Sequence, residues 1–305
     1  MSEGRAGGFS RRSEPRVRAA RPPGPCFPAL ATHITTHHLF LPLRMPVLPV
    51  RPFLPFRKSA APDAGSAGRS LAPTQPLYAI GDIHGSSALV EPLLARIDAD
   101  IVEAGHADPH LVFLGDYVDR GDGSASVLEH LRALQADLPG SVTCLMGNHE
   151  RMMLDFLDDP AGRGARWLAN GGLQTLASFG VGGIGARPSL EDMSDAAEAL
   201  HAALPAGLEA WLRALPLWWQ SGNVVCVHAA MNPEKPPEAQ DNRALLWGHR
   251  RFFEIPREDG LWVVHGHTIT REPTVAGGRI AVDTGAYHSG RLTAAAITEG
   301  GCRFL

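Results

Sequence analysis

The sequence predicts an α/β fold, and three observations carry that prediction. Between residues 77 and 150 a short apolar run, a polar or acidic loop and a helical stretch follow one another three times. Residues 151–220 then read as a helical insertion, richer in Gly, Ala and Trp. Beyond it come four short apolar, β-rich runs separated by turns, which read as strands of a second sheet.

Order is expected to begin at "LYAIGDIHG". Leu77 to Ile80 is a strand, and Gly81 to Gly85 is the loop that leaves it. "SSALVEPLLARIDADIVEAG" has helical spacing, with Leu89, Leu93, Leu94 and Ile97 on one stripe and Ser86 or Ser87 as N-cap. "HLVFLGDYVDRG" is the second strand and loop, "SASVLEHLRALQADLPG" the second helix, and "VTCLMGNHE" the third strand and loop. "SLEDMSDAAEALHAALPAGLEAWLRALPLWW" has amphipathic spacing, so Trp211, Trp218 and Trp219 read as helix packing. The later strands are "NVVCVHAAM", "GLWVVHGHT", "RIAVDTGAY" and "RLTAAAIT".

Ahead of this lies a different kind of sequence. Residues 1–60 carry ten Arg or Lys against two acids, although the whole chain has a net charge of −4. A basic, Pro-rich, acid-poor leader does not build a core, so residues 1–75 are expected to be disordered and 76–305 to form one catalytic domain. A targeting segment, a weak anion-binding arm and upstream sequence preceding a start at Met45 all remain open for the leader. The uncharged stretch Pro22 to Leu43 contains five prolines and three histidines, which a spanning helix would not tolerate. Cys26, Cys144, Cys226 and Cys302 are too few and scattered for a disulfide framework, which suggests a reducing, cytoplasmic setting. Neither pI nor charge points to a nucleic-acid or membrane partner for the folded domain, and oligomeric state is left open.

The chemistry concentrates at strand ends. In "LVFLGDYVDRGDG" four apolar residues are followed by Asp116, Asp119, Arg120 and Asp122, a run that repels itself unless a cation or substrate balances it. Asp82 and His84 follow the first strand, Asn148 and His149 the third, His228 a fourth, and His265 and His267 a fifth. Carboxylate, imidazole and amide oxygen together suit a divalent metal such as Mn, Fe or Zn. Two such ions about 3.5–4 Å apart are a common arrangement for phosphoester hydrolysis. Taken singly, Asp82 and Asp116 also read as helix N-cap carboxylates and His228 as a core histidine. His265 and His267 compete for one ligand role, and Asp283 reads as either a turn former or a support for the metal site.

"GDIHG", "GDYVDRG" and "GNHE", in that order, resemble the signature of the calcineurin-like metallophosphoesterases, in their phosphoprotein phosphatase branch. "VHAAM", "LLWGHRRF", "HGHT" and "DTGAYHSGRLTAAAI" resemble its bacterial and phage members, which include lambda-type serine/threonine phosphatases and symmetrical diadenosine tetraphosphatases. The resemblance implies a two-sheet β sandwich flanked by helices, holding two divalent ions, with Mn the first choice. It implies that Asp82 and His84 ligate one metal, that Asp116 bridges, and that Asn148, His228 and His267 ligate the other, which favours His267 over His265. Arg120, Asn148 and an arginine at "WGHRR", Arg250 or Arg251, would hold the substrate phosphate. His149 would be the general acid, oriented by Asp119, and a metal-bridging hydroxide the nucleophile.

The sequence departs from that pattern at four places. Met146 replaces an arginine before "GNHE", Ala230 replaces a glycine after His228, Ile269 replaces a second histidine after "HGHT", and His249 stands where relatives carry arginine. The expected activity is hydrolysis of phosphoserine or phosphothreonine in a protein or small phosphoester. A dinucleoside tetraphosphate is the alternative substrate. A non-catalytic metal-bound scaffold is a third reading, disfavoured by the presence of His149, Asp119 and Arg120.

Overall fold

The computed structural model describes residues 70–185 and 187–305. The leader, with Cys26 and Met45, therefore lies outside the described residues up to residue 69.

Two five-stranded sheets form the centre. The first contains β1 (Leu77–Ile80), β2 (His110–Phe113) and β3 (Val142–Cys144) in parallel. Each is followed by a helix: α1 (Val90–Ala104), α2 (Ser124–Asp137) and α3 (Asn148–Asp158). The chain then builds the helical insertion from α4 (Pro160–Trp167), a π-helical turn (Leu168–Gly172), α5 (Leu173–Ser178), α6 (Leu190–Ala203) and α7 (Leu208–Arg213). The second sheet follows, with β4 (Trp218–Ser221), β5 (Val224–Val227), then after α8 (Asn242–Trp247) β6 (Trp262–His265), β7 (Thr274–Ala276) and β8 (Arg279–Ala281). After a short helix α9 (Ala286–Ser289), β9 (Ala294–Thr298) and β10 (Gly301–Phe304) complete the chain. Strand order is β10-β9-β1-β2-β3 in one sheet and β4-β5-β6-β8-β7 in the other.

Alternation along the strands explains why they look apolar throughout. Leu77 and Ala79 of β1 face Val224, Cys226, Trp262 and Val264 of the second sheet, in a core that also takes Val112, Ile280 and Ile297. Tyr78 and Ile80 point the other way, into the helices with Phe113, Leu93, Ile97 and Leu131. Val225, Val227 and Val263 do the same on the outer face of the second sheet, against Leu245 and Phe252. A strand covered on both faces loses the apolar–polar alternation of a half-exposed one.

Four sequence expectations need correction. β9 pairs antiparallel with β1, Leu77 opposite Ile297, so "RLTAAAIT" belongs to the first sheet and not the second. Trp218 and Trp219 lie on β4 rather than a helix, and Trp219 stacks on His110 with ring centroids 4.3 Å apart. Neither Ser86 nor Ser87 caps α1, whose first turn is entered through a 3₁₀ turn at Ser87–Leu89. Finally, residues 70–75 pack on the domain. Leu71 is buried in the inter-sheet core, and Asn223 accepts the Ala72 N–H at 2.7 Å while donating to the Ser70 carbonyl at 2.9 Å.

Among the described residues no helix is long and apolar enough to cross a membrane. Cys144, Cys226 and Cys302 are free.

Candidate metal centre and acid dyad

The loops that leave β1, β2, β3, β5 and β6 bring the predicted residues together. The backbone there is unusual. Six described non-glycine residues have φ in the left-handed region, and five of them are His84, Asp116, Asp119, Arg120 and His267. Such conformations cost on the order of 1–3 kcal/mol each and persist only where surrounding structure enforces them. Glu150 is one enforcer. Its fully buried carboxylate accepts the backbone N–H groups of Asp116, Tyr117, Val118 and Gly147 at 2.7–3.2 Å. Gly115 and Gly147 are another. At φ +102° Gly115 brings the two loops so close that a Cβ on it would lie 2.5 Å from the Gly147 nitrogen.

Asp116 is the hub. His228 Nε2 lies 3.3 Å from its Oδ1, and His84 Nε2 lies 3.5 Å from its Oδ2. Asp116, His228 and His267 present ligand atoms within 4.8 Å of one another, and so do His84, Asp116 and His149. Asn148 Oδ1 is 2.9 Å from His228 Nε2. Asp82 accepts the His267 N–H at 3.0 Å, and the charges of Asp82 and Asp283 act on one another.

The donor set fits cations. His84 Nδ1 meets the Val118 carbonyl and His228 Nδ1 the Leu114 carbonyl, both at 2.9 Å. A carbonyl only accepts, so each Nδ1 carries the proton and each neutral ring turns a lone pair on Nε2 toward Asp116. Burial keeps both rings neutral, pushing His84 down to about 3 and His228 down to about 4. It lowers His267 as well. His228 Nε2 then faces two further acceptors, Asn148 Oδ1 and Asp116 Oδ1, and a divalent cation resolves that conflict. The acids tell the same story. Burial raises Asp82 well above the usual carboxylate range, and repulsion from Asp283 and Asp116 adds to it. Burial also takes Asp283 up to about 6. Asp116 is the exception: burial opposes its charge, but His228, His149 and His84, all protonated at the low pH where it titrates, outweigh it and hold the carboxyl below its ordinary value.

His149 is different in kind. Its Nδ1 is 2.6 Å from Asp119 Oδ2. Burial opposes its charge, but Asp116 and Asp119 raise its pKa above the ordinary value. Arg120 Nη2 stands 3.4 Å from His149 Nε2, and its guanidinium lies over the Tyr287 ring, 4.8 Å from the centroid. A guanidinium and an imidazole are thus side by side. Asp122, last of the acidic run, is exposed and apart.

Other expectations sort out plainly. His265 is buried against Phe252 and Phe253, with Nδ1 toward the Gly266 carbonyl, and stays outside the ligand cluster. Met146 is a core residue. Arg251 pairs with Glu234, and Arg250 is exposed. Asp283 forms the turn expected of it, accepting the Gly285 N–H at 2.8 Å.

A model of the calcineurin-like phosphoesterase family matches residues 75–275. The chain belongs to that family. Its relatives divide in function. One is the asymmetrical bis(5'-nucleosyl)-tetraphosphatase PrpE of Oceanobacillus iheyensis, 26% identical over 72% of this chain and 88% of its own length. Another is a symmetrical bis(5'-nucleosyl)-tetraphosphatase of Methylococcus capsulatus, 30% identical over 55% of this chain and 48% of the relative, so that only about half of that protein is matched. A third is the catalytic subunit of serine/threonine-protein phosphatase 6 of Drosophila melanogaster, 38% identical over 25% of this chain and 23% of the relative. Among solved structures, one provisionally described as a diadenosine tetraphosphatase superposes with a TM-score of 0.52 at 21% identity, over 78% of this chain and 97% of that one. At that identity it speaks for the fold, two mixed sheets flanked by helices. The protein is therefore a phosphoesterase-family hydrolase with His and Asp groups suited to metal.

Three contributors escaped sequence reasoning. Glu150 is inside the "GNHE" motif, but its service to four backbone N–H groups is visible only in three dimensions. Trp167 and Thr175 come from the helical insertion. The Trp167 indole N–H reaches both Asp119 oxygens at 3.0 Å, and the Thr175 hydroxyl donates to Asp119 Oδ1 at 2.7 Å. Their spacing carries no signal that a sequence alone could reveal.

Proposed function

We propose that the protein hydrolyses phosphomonoesters of poor leaving groups, with phosphoserine or phosphothreonine in a protein as the substrate class. The 2.6 Å Asp119–His149 pair carries this reading. A proton donor contributes most where the departing alkoxide is strongly basic. Asp82, His84 and Asp116 would hold one divalent ion, and Asp116, Asn148, His228 and His267 a second, with Mn favoured by the mixed Asp, His and Asn donors. When bound, such ions supply positive charge to the phosphate oxygens and acidify water near neutral pH.

The chain's own residues do the rest. Arg120 offers a planar pair of N–H groups to two phosphate oxygens. His149, protonated on both nitrogens, holds Nδ1–H on Asp119 and presents Nε2–H to the leaving oxygen. Asp119 fixes the ring's aim and stabilises its charge. A reducing, cytoplasmic setting accords with the free thiols of the described cysteines, Cys144, Cys226 and Cys302.

A second reading, hydrolysis of dinucleoside tetraphosphates, is favoured by the Oceanobacillus relative, whose match extends over 88% of that protein. Its leaving groups are nucleotides, which depart more readily than an alkoxide and lean less on an acid. Steady-state assays with Mn decide between the two. A kcat/KM for phosphoserine peptide above that for diadenosine tetraphosphate supports the first reading, and the reverse order establishes the second.

A further inference from the structure

We propose that Trp167 and Thr175 are positioning residues through which the helical insertion aims the Asp119–His149 pair. This rests on the reading of His149 as the proton donor.

The hydrogen-bond count on Asp119 is the starting point. Its carboxylate is fully buried and receives three donors. His149 Nδ1 is one, at 2.6 Å from Oδ2. The other two, the Trp167 indole and the Thr175 hydroxyl, both come from the insertion. The indole hydrogen is shared between the two oxygens, each 3.0 Å from Nε1, which sets the plane of the carboxylate. Thr175 grips the residue twice, since its oxygen also accepts the Asp119 N–H at 2.8 Å.

The clamps are themselves fixed. Trp167 has no exposed surface and packs against Phe156 with ring centroids 4.8 Å apart. A Cβ on Gly172 would fall 2.6 Å from its ring. Between the two clamps, Gly171 adopts φ +109°, and its carbonyl faces the Arg120 N–H at 3.4 Å. A Cβ there would lie 2.6 Å from the Arg120 nitrogen. Asp119 and Arg120 are both left-handed, at φ +73° and +70°. The stretch 167–175 thus closes over a strained dipeptide that carries the acid's partner and the phosphate-binding arginine. Packing alone would not require both side chains that reach the Asp119 carboxylate from that stretch to donate to it.

The consequence is specific. Without either clamp the Asp119 carboxylate rotates or loses charge stabilisation, and His149 is aimed less well at the leaving oxygen. Turnover then falls in proportion to how much the leaving group needs a proton. A merely structural contact would lower the folded fraction or the metal content and so slow all substrates alike.

The test uses the full-length, Mn-loaded protein and two aryl phosphates. Phenyl phosphate releases a phenolate of pKa about 10, and p-nitrophenyl phosphate releases a much weaker base. Trp167→Phe removes the N–H and keeps an aromatic ring. Thr175→Val removes the hydroxyl at constant shape, and Thr175→Ser retains it. Both Trp167→Phe and Thr175→Val are expected to lose about tenfold or more in kcat on phenyl phosphate, the scale of a hydrogen bond to a charged group. They should lose far less on p-nitrophenyl phosphate, at unchanged metal content, and Thr175→Ser should recover the wild-type ratio. Equal losses on both substrates, or a Thr175→Ser ratio matching that of Thr175→Val, would overturn the proposal. If Trp167→Phe fails to fold, the threonine pair gives the same readout. His149→Asn is assayed alongside. If it too fails to discriminate between the substrates, the acid reading falls and takes this inference with it. If it discriminates and the clamp variants do not, only the inference falls.

Discussion

Asp116 and Asp119 are three residues apart on one loop, equally buried, and in opposite settings. The oxygens of Asp116 face ring nitrogens that carry lone pairs, His228 Nε2 at 3.3 Å and His84 Nε2 at 3.5 Å. Those of Asp119 are taken up by N–H and O–H donors from His149, Trp167 and Thr175. Once protonated at low pH those histidines hold Asp116 below its ordinary pKa against burial, whereas burial raises Asp119 despite its hydrogen bonds. The difference separates two jobs. A carboxylate surrounded by lone pairs attracts cations. One whose oxygens are spent on donors has nothing left for a metal and serves to aim its partner.

The largest effect should come from breaking the first setting. Asp116→Asn removes the charge on which the ligand cluster converges. It should lose bound metal and fall about a thousandfold or more on phenyl and p-nitrophenyl phosphate alike, a loss of several kcal/mol. Retained metal with a substrate-dependent loss would move Asp116 into the second setting.

Glu150 underlies the contrast by holding the Asp116 loop in place. Glu150→Ala strands four backbone N–H groups in a buried site, at about 1–3 kcal/mol each where water does not reach them. Chemical denaturation should show a stability loss of about 3 kcal/mol or more. A loss below about 1 kcal/mol would mean that the loop holds its shape without that carboxylate.

A smaller effect comes from a histidine in neither setting. Burial lowers His265 to about 4 from an ordinary value near 6.5. A group that is neutral when folded and titrates near 6.5 when unfolded binds fewer protons in the folded state, so its contribution is complete above pH 6.5 and is lost as pH falls toward 4. The loss amounts to up to about 3 kcal/mol. In metal-free protein, wild type should lose stability faster than His265→Gln over that window. Parallel pH curves would refute the assignment.

What could be read from the chain follows from where each interaction lies. Asp82, His84, Asp116, Asn148, His228 and His267 are legible because each stands directly behind an apolar strand run, and parallel strands deliver their ends to one edge. The place of β9 is not legible, because its partner β1 is more than 200 residues away and "LTAAAIT" looks the same whichever sheet receives it. Trp218 and Trp219 extend an amphipathic pattern past Pro216, so the helix-to-strand change is hidden there. The motif alone does not choose between Arg250 and Arg251 as the phosphate cation; Arg251 pairs with Glu234 and Arg250 is exposed. Trp167 and Thr175 were invisible, since no local pattern marks a residue whose partner is an aspartate some fifty positions upstream.

Everything turns on which side of the division His149 belongs to, because His84 and Asp116 lie close enough for it to join them around an ion. The direct measurement is metal content after Mn loading and desalting, for wild type, His84→Asn and His149→Asn. The division predicts that His84→Asn loses bound ion while His149→Asn keeps the wild-type complement and is slowed on phenyl phosphate. A His149→Asn protein depleted of metal to the same degree as His84→Asn would contradict it, and would make His149 a ligand.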